Sequence, residues 1–119
     1  MFKGIKKAGV TEELIKAIGV YLSIRIGIPE LIIFSEGETR NNRVTLRTDK
    51  IDSTRFNTGI FSFTIKEFYV IADVYTDMEK GVFHCDVSLQ YEHFNGGRNG
   101  HDTNIRLRGN LKDCSFVEC

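Results

Sequence analysis

The chain has 119 residues, the length of one domain (1–119) built round one core, with an ordinary globular balance of 41% hydrophobic and 27% charged residues. Its 16 basic and 16 acidic residues cancel, which tells against a dedicated non-specific DNA binder, because such proteins draw affinity from neutralising phosphates.

Residues 1–10 are basic and small, and predict a loose arm or a short edge strand. They lack the long apolar stretch of a secretory signal. Thr11 offers an N-cap, and Glu12 and Glu13 suit the positive end of a helix dipole. Leu14, Ile18, Tyr21, Leu22 and Ile26 then fall on one wide apolar stripe, and Gly27-Ile28-Pro29 is a stop signal. The spacing predicts a helix over Glu12–Ile26. A competing reading ends the helix at Gly19 and makes residues 20–26 a strand, since Val20, Leu22, Ile24 and Ile26 also alternate. The longer helix is preferred because the later sheet has an apolar face and no other helix to cover it. Lys16, Arg25, Pro29 and Glu30 interrupt the apolar region 14–34, so it predicts no membrane span, and a cytoplasmic location is expected.

Leu31-Ile32-Ile33-Phe34-Ser35 is a continuous apolar run that predicts a buried strand, followed by a polar turn over residues 36–42. Val44, Leu46 and Thr48 alternate with Arg43, Thr45 and Arg47, a strand with a basic outer face. Residues 49–59 look like an excursion loop. Phe61, Phe63 and Ile65 alternate inward, and the apolar parity then shifts to Phe68, Val70, Ala72 and Val74. Such a shift without a turn predicts a β-bulge near Lys66-Glu67.

The clearest pattern follows. Phe83, Cys85, Val87, Leu89, Tyr91 and His93 share one parity; Val82, His84, Asp86, Ser88, Gln90 and Glu92 share the other. Period 2 puts the first set against a core and the second toward solvent. Ile105, Leu107 and Leu111 repeat the scheme against Arg106, Arg108 and Asn110. The joining loop is Asn95-Gly96-Gly97-Arg98-Asn99-Gly100-His101-Asp102, and residues 114–117 can add a last short strand. The expected fold is α+β: one N-terminal helix on a curved antiparallel sheet of five or six strands, either two-layered or a half-barrel.

Motifs for chemistry are sparse. His84, His93 and His101 are far apart in the pattern, and no nucleophile elbow or paired-carboxylate motif occurs, so a catalytic role is not expected. Three cysteines without C-x-x-C read as structural thiols, and neither a metal nor a cofactor is implied. The glycine-rich loop could form an anion nest clamped by Arg98, although it opens no helix and matches no nucleotide fingerprint.

Charge is blocked along the chain. Residues 40–55 are basic, residues 67–92 carry Glu67, Asp73, Asp77, Glu79, Asp86 and Glu92, and residues 98–112 are basic again. Neighbouring strands can pair such charges across a sheet. The sharper reading is a bipolar surface that docks a charged partner. Its candidate contact residues are Tyr69, Asp73, Tyr75, Asp86 and Glu92 on the outer sheet face, with Arg98 and His101 in the loop. The expected function is non-catalytic binding to a protein, as an inhibitor or immunity factor of the bacterial or phage kind that blocks a basic, nucleic-acid-acting partner. The alternatives are a phage tail or head-completion subunit, and a nucleotide- or RNA-binding domain using the glycine-rich loop.

Overall fold

The computed structural model describes residues 2–28, 30–52, 65–93 and 100–119, with residues 65, 66, 92, 93 and 100–104 as backbone only. The fold is α+β: among the described residues one helix, α1 (Glu12–Ile26), packs on a mostly antiparallel sheet that does not close into a barrel. The strands are β1 (Phe2–Lys3), β2 (Phe34–Arg40), β3 (Arg43–Thr48), β4 (Ile51–Asp52), β5 (Ile65–Asp77), β6 (Val82–His93), β7 (Gly100–Asn110) and β8 (Phe116–Glu118). Their order is β1-β2-β3-β5-β6-β7-β8, with β4 continuing the line of β3 along β5. Among the described strands only β1 runs parallel to its neighbour.

Helix α1 starts where Thr11 Oγ1 accepts the Leu14 N–H at 3.1 Å, and stops at Gly27, whose φ of 86° favours glycine. Leu14, Ile15, Ile18, Leu22 and Ile26 are buried against the inner sheet face. That face presents Val44 and Leu46 from β3, Phe68, Val70, Ala72 and Val74 from β5, Phe83, Cys85, Val87 and Leu89 from β6, and Ile105 and Leu107 from β7. The expected bulge lies between Ile65 and Glu67.

Gly19 is a mid-helix residue because a backbone needs its space. A Cβ there would lie 2.3 Å from the Ile32 carbonyl oxygen. One turn on, Ser23 Oγ donates to the Gly19 carbonyl at 2.9 Å and accepts the Ile32 N–H at 2.7 Å. The glycine that suggested a helix end is therefore a docking point for the chain that follows the helix.

That contact also explains a departure from expectation. Residues 31–33 are not in the sheet; Ile32 is buried, while Leu31 and Ile33 face solvent. The strand begins at Phe34 and runs through residues 36–40, where a turn was expected, so the turn is only Asn41-Asn42. Polar residues hide this strand. Glu36, Glu38 and Arg40 point outward, and the inner place is Gly37, over which Phe2 and Leu46 close to 2.9 Å of where a Cβ would be. The described residues thus form eight strands rather than five or six. The extra ones are the two-residue β1 and β4. Residues 5–8 add a 3-10 helix turn, and Leu111 lies just past β7 rather than within it. The expected inward Phe61 and Phe63 lie outside the described residues, as does most of the 49–59 excursion.

Cys85 is 0% exposed, and burial pushes its thiol well above the ordinary range, with the charges of Asp86 and Asp73 adding to the effect. Only a thiolate reacts readily. Native-state alkylation should therefore be slow at Cys85 and fast at the exposed Cys119, with equal rates only after unfolding. Fast native labelling at Cys85 would mean that the sheet faces are assigned the wrong way round.

Candidate functional site

The outer face of the sheet is organised in rows that cross the strands. Register places Arg40 beside Arg43, Arg43 beside Tyr75, Tyr75 beside His84, His84 beside Arg108 and Arg108 beside Val117. This first row spans six strands and contains no carboxylate. The next row is Glu38, Thr45, Asp73, Asp86 and Arg106. Beyond it come Glu36, Arg47, Ile71 and Ser88, and then Tyr69 beside Gln90 beside His101.

Within these rows the side chains hold one another. Tyr75 and His84 stack with ring centroids 4.7 Å apart and planes 10° from parallel. The Arg43 guanidinium lies 5.5 Å from the centre of the Tyr75 ring, and Arg47 lies 4.3 Å from that of Tyr69. Asp73 is held through one oxygen: Thr45 Oγ1 donates to its Oδ1 at 2.7 Å, and Arg43 Nη2 and Nε donate to the same atom at 3.1 and 3.2 Å. Asp86 is held more loosely, with Arg106 Nε at 3.7 Å and both side chains well exposed. Lys50 pairs with Glu67 at 3.4 Å. The charge blocks of the sequence therefore meet across strands, which divides two of the three expected carboxylates. Asp73 braces the face, whereas Asp86 sits in an exposed pair of the kind that contributes about 0–1 kcal/mol and exchanges readily.

Of the expected contact residues, the sheet brings Tyr69, Asp73, Tyr75 and Asp86 to one face. Arg98 lies outside the described residues. Glu92 falls in β6 opposite Glu67, and its side chain is not described. His101 is not in the loop: β7 begins at Gly100, so His101 and Asp102 pair with Gln90 and Leu89. The glycine-rich loop is shorter by that much, because the β6–β7 ladder continues past a register shift between Val87 and Leu89.

The pattern of the sequence did not show that the first row ends in a hollow. At the β5–β6 hairpin end, Tyr75 and Asp77, Val82 and His84, Arg108 and Asn110, and Val117 line an open depression of about 830 Å³, with Lys80 at its rim. Strand β8 forms one wall. The turn leading into it is held by the Asp113 carboxylate, which accepts the Ser115 N–H at 3.1 Å and its hydroxyl at 2.7 Å and is thereby held below the usual carboxylate range. On the inner side the Glu118 carboxylate receives the Tyr21 hydroxyl and, at 2.9 Å, Arg25 Nε, clasping β8 to α1. These bonds, that from Tyr21 foremost, hold Glu118 below the usual carboxylate range.

Among the described residues no cluster of His, Cys, Asp and Glu could hold a metal ion, and no helix is long and apolar enough to cross a membrane. Comparison with known proteins returns no match: no family model, no curated protein and no solved structure matches this chain.

Proposed function

We propose that the protein acts without catalysis, by binding another protein through the outer face of its sheet and covering a functional surface of that partner, as an inhibitor does. The observation that carries this reading is the braced aromatic array. Tyr69 and Tyr75 are held by Arg47 and Arg43, and Tyr75 also by His84, so they present a pre-ordered surface of the residue types that dominate protein interfaces. Pre-ordering matters because side chains already fixed lose little entropy on binding.

The charge bands narrow the partner. Asp86 and Glu38 in the second row would receive basic groups of a partner, which keeps a nucleic-acid-acting protein within the reading. The arginine row beside them demands acids on the same partner. The RNA-binding alternative gains less support, because Tyr75 is already engaged by His84 and Arg43, and Arg47 already lies over the Tyr69 ring.

The test starts from a partner captured on the immobilised protein. Tyr75→Ala should weaken that complex by about thirtyfold, the loss typical of a central anchor of about 2 kcal/mol. Asp86→Lys should mainly slow association, and the difference should shrink in high salt, since exposed charges are screened over about 8 Å at physiological ionic strength. Both variants should keep the thermal melt nearly unchanged. Unaltered binding by both would leave this face a merely solvated surface.

A further inference from the structure

We propose that the hollow at the β5–β6 hairpin end is a binding site for an acidic peptide segment whose carboxylates flank an apolar side chain. The inference rests on the protein-binding reading above and supplies the chemistry of one contact.

The polar groups of the hollow divide into those already used and those not. Asn42 donates from Nδ2 to the Thr76 carbonyl at 2.9 Å, and its own carbonyl accepts the Thr76 N–H at 2.8 Å. Asn110 Nδ2 reaches Ser115 Oγ at 3.4 Å. Asp77, the one carboxylate in the lining, accepts the Lys80 backbone N–H at 3.1 Å and so closes the hairpin turn. The ammonium of Lys80 and the guanidinium of Arg108 have no acidic partner within 4 Å among the described residues. Two cations thus border a hollow whose hydrogen-bonding asparagines and carboxylate serve the fold.

The same hollow carries apolar surface. Val82 is 37% exposed and Val117 60% exposed, and both line the hollow. An exposed valine pair within a cationic rim matches a ligand with alternating acidic and apolar side chains. Arg108 can receive a carboxylate through two parallel N–H bonds, and Lys80 acts as a point charge. A volume of about 830 Å³ falls within the range of specific ligand clefts. A phosphate backbone leaving the hollow along the strands would meet Asp73 and Asp86 of the next row, so a long polyanion is confined to the first row, and the oligouridylate below tests it.

The experiment is a titration of the ¹⁵N-labelled full chain, followed by amide shifts. The probes are a blocked peptide of alternating glutamate and leucine, the same peptide with lysine for glutamate, inorganic phosphate, and a short oligouridylate. The acidic peptide should give saturable shifts centred on Lys80, Val82, His84, Arg108 and Val117, and the lysine peptide none there. Arg108→Glu should weaken the acidic peptide by about tenfold or more, the loss of a charge-assisted contact. Lys80→Glu, a change in an exposed turn, provides the same reading should the strand substitution disturb folding. No saturable shifts, equal shifts from phosphate, or tighter binding of the oligouridylate would each overturn the proposal. Should the acidic peptide fail while Tyr75→Ala still weakens capture of the protein partner, the hollow alone is excluded; should neither Tyr75→Ala nor Asp86→Lys have any effect, the whole face is.

Discussion

Ile18→Asp is expected to unfold the protein, and Lys16→Asp to leave it folded. Ile18 is 0% exposed and sits between Leu14 and Leu22 on the helix stripe that faces the sheet. An aspartate there loses the burial of a large apolar side chain. It also places a carboxylate among Leu and Val side chains with nothing to pair it. The two costs together come to about 5 kcal/mol or more, which is comparable to the whole stability of many domains of this size. Lys16 lies on the solvent side of the same helix, where a substitution costs within about 0.5 kcal/mol. Denaturant titration followed by circular dichroism checks both. Similar midpoints for the two variants would remove α1 from the core.

The same helix shows why so much of the fold was legible. Its cap, its stripe and its stop are local signals, and each is satisfied locally: Thr11 at one end, Gly27 at the other, and the buried apolar residues Leu14, Ile15, Ile18, Leu22 and Ile26 at helical spacing between. Strands β3, β5 and β6 were legible for the same reason, since Val44, Leu46, Phe68, Val70, Ala72, Val74, Phe83, Cys85 and Val87 are buried in strict alternation. Strand β2 was not, because its inner position is Gly37 and the apolar atoms there come from Phe2 and Leu46. The apolar run before it misled in the opposite direction, since Ile32 is bound by α1 and not by a neighbouring strand.

The candidate site divides along the same line. Parity alone placed Tyr69, Asp73, Tyr75 and Asp86 on one face. Which arginine stands beside which tyrosine depends on register between β3 and β5, and residues 49–64 intervene between them. No local pattern carries that register. The hollow needs more still, because it depends on where β8 lies against β7 after a turn in which Cys114 takes a positive φ of 57°.

The placement of β8 rests on Gly109, and Gly109→Ala is the substitution that tests it. In a strand, alanine for glycine normally stabilises by about 0.4–1 kcal/mol, because it restricts the unfolded chain. Here the sign should reverse. A Cβ on Gly109 would lie 1.9 Å from the Ser115 carbonyl oxygen and 2.6 Å from Phe116 Cβ, distances that no real Cβ tolerates. Two of the crowding atoms are backbone, so a rotamer change cannot relieve the contact, and β8 must move off β7. With it would go the edge-to-face contact of Phe116 with Tyr21, at 5.6 Å between centroids, and the clasp of Glu118 on Tyr21 and Arg25. The expected loss is about 3 kcal/mol, the upper end for overpacking a well-fitted site. The neighbouring exposed Arg108→Ala should cost within about 0.5 kcal/mol. Hydrogen exchange localises the effect. The Asn110 amide bonds the Ser115 carbonyl at 2.9 Å and the Cys119 amide bonds the Arg106 carbonyl at 2.9 Å; both should lose protection in Gly109→Ala while amides at the centre of β5 and β6 keep theirs. The hollow loses its Val117 wall in the same variant, so the acidic peptide should no longer bind even where the rest of the domain stays folded. A Gly109→Ala protein that melts like the parent, with both amides still protected, would show that β8 does not pack against β7 at this point, and the hollow would fall with it.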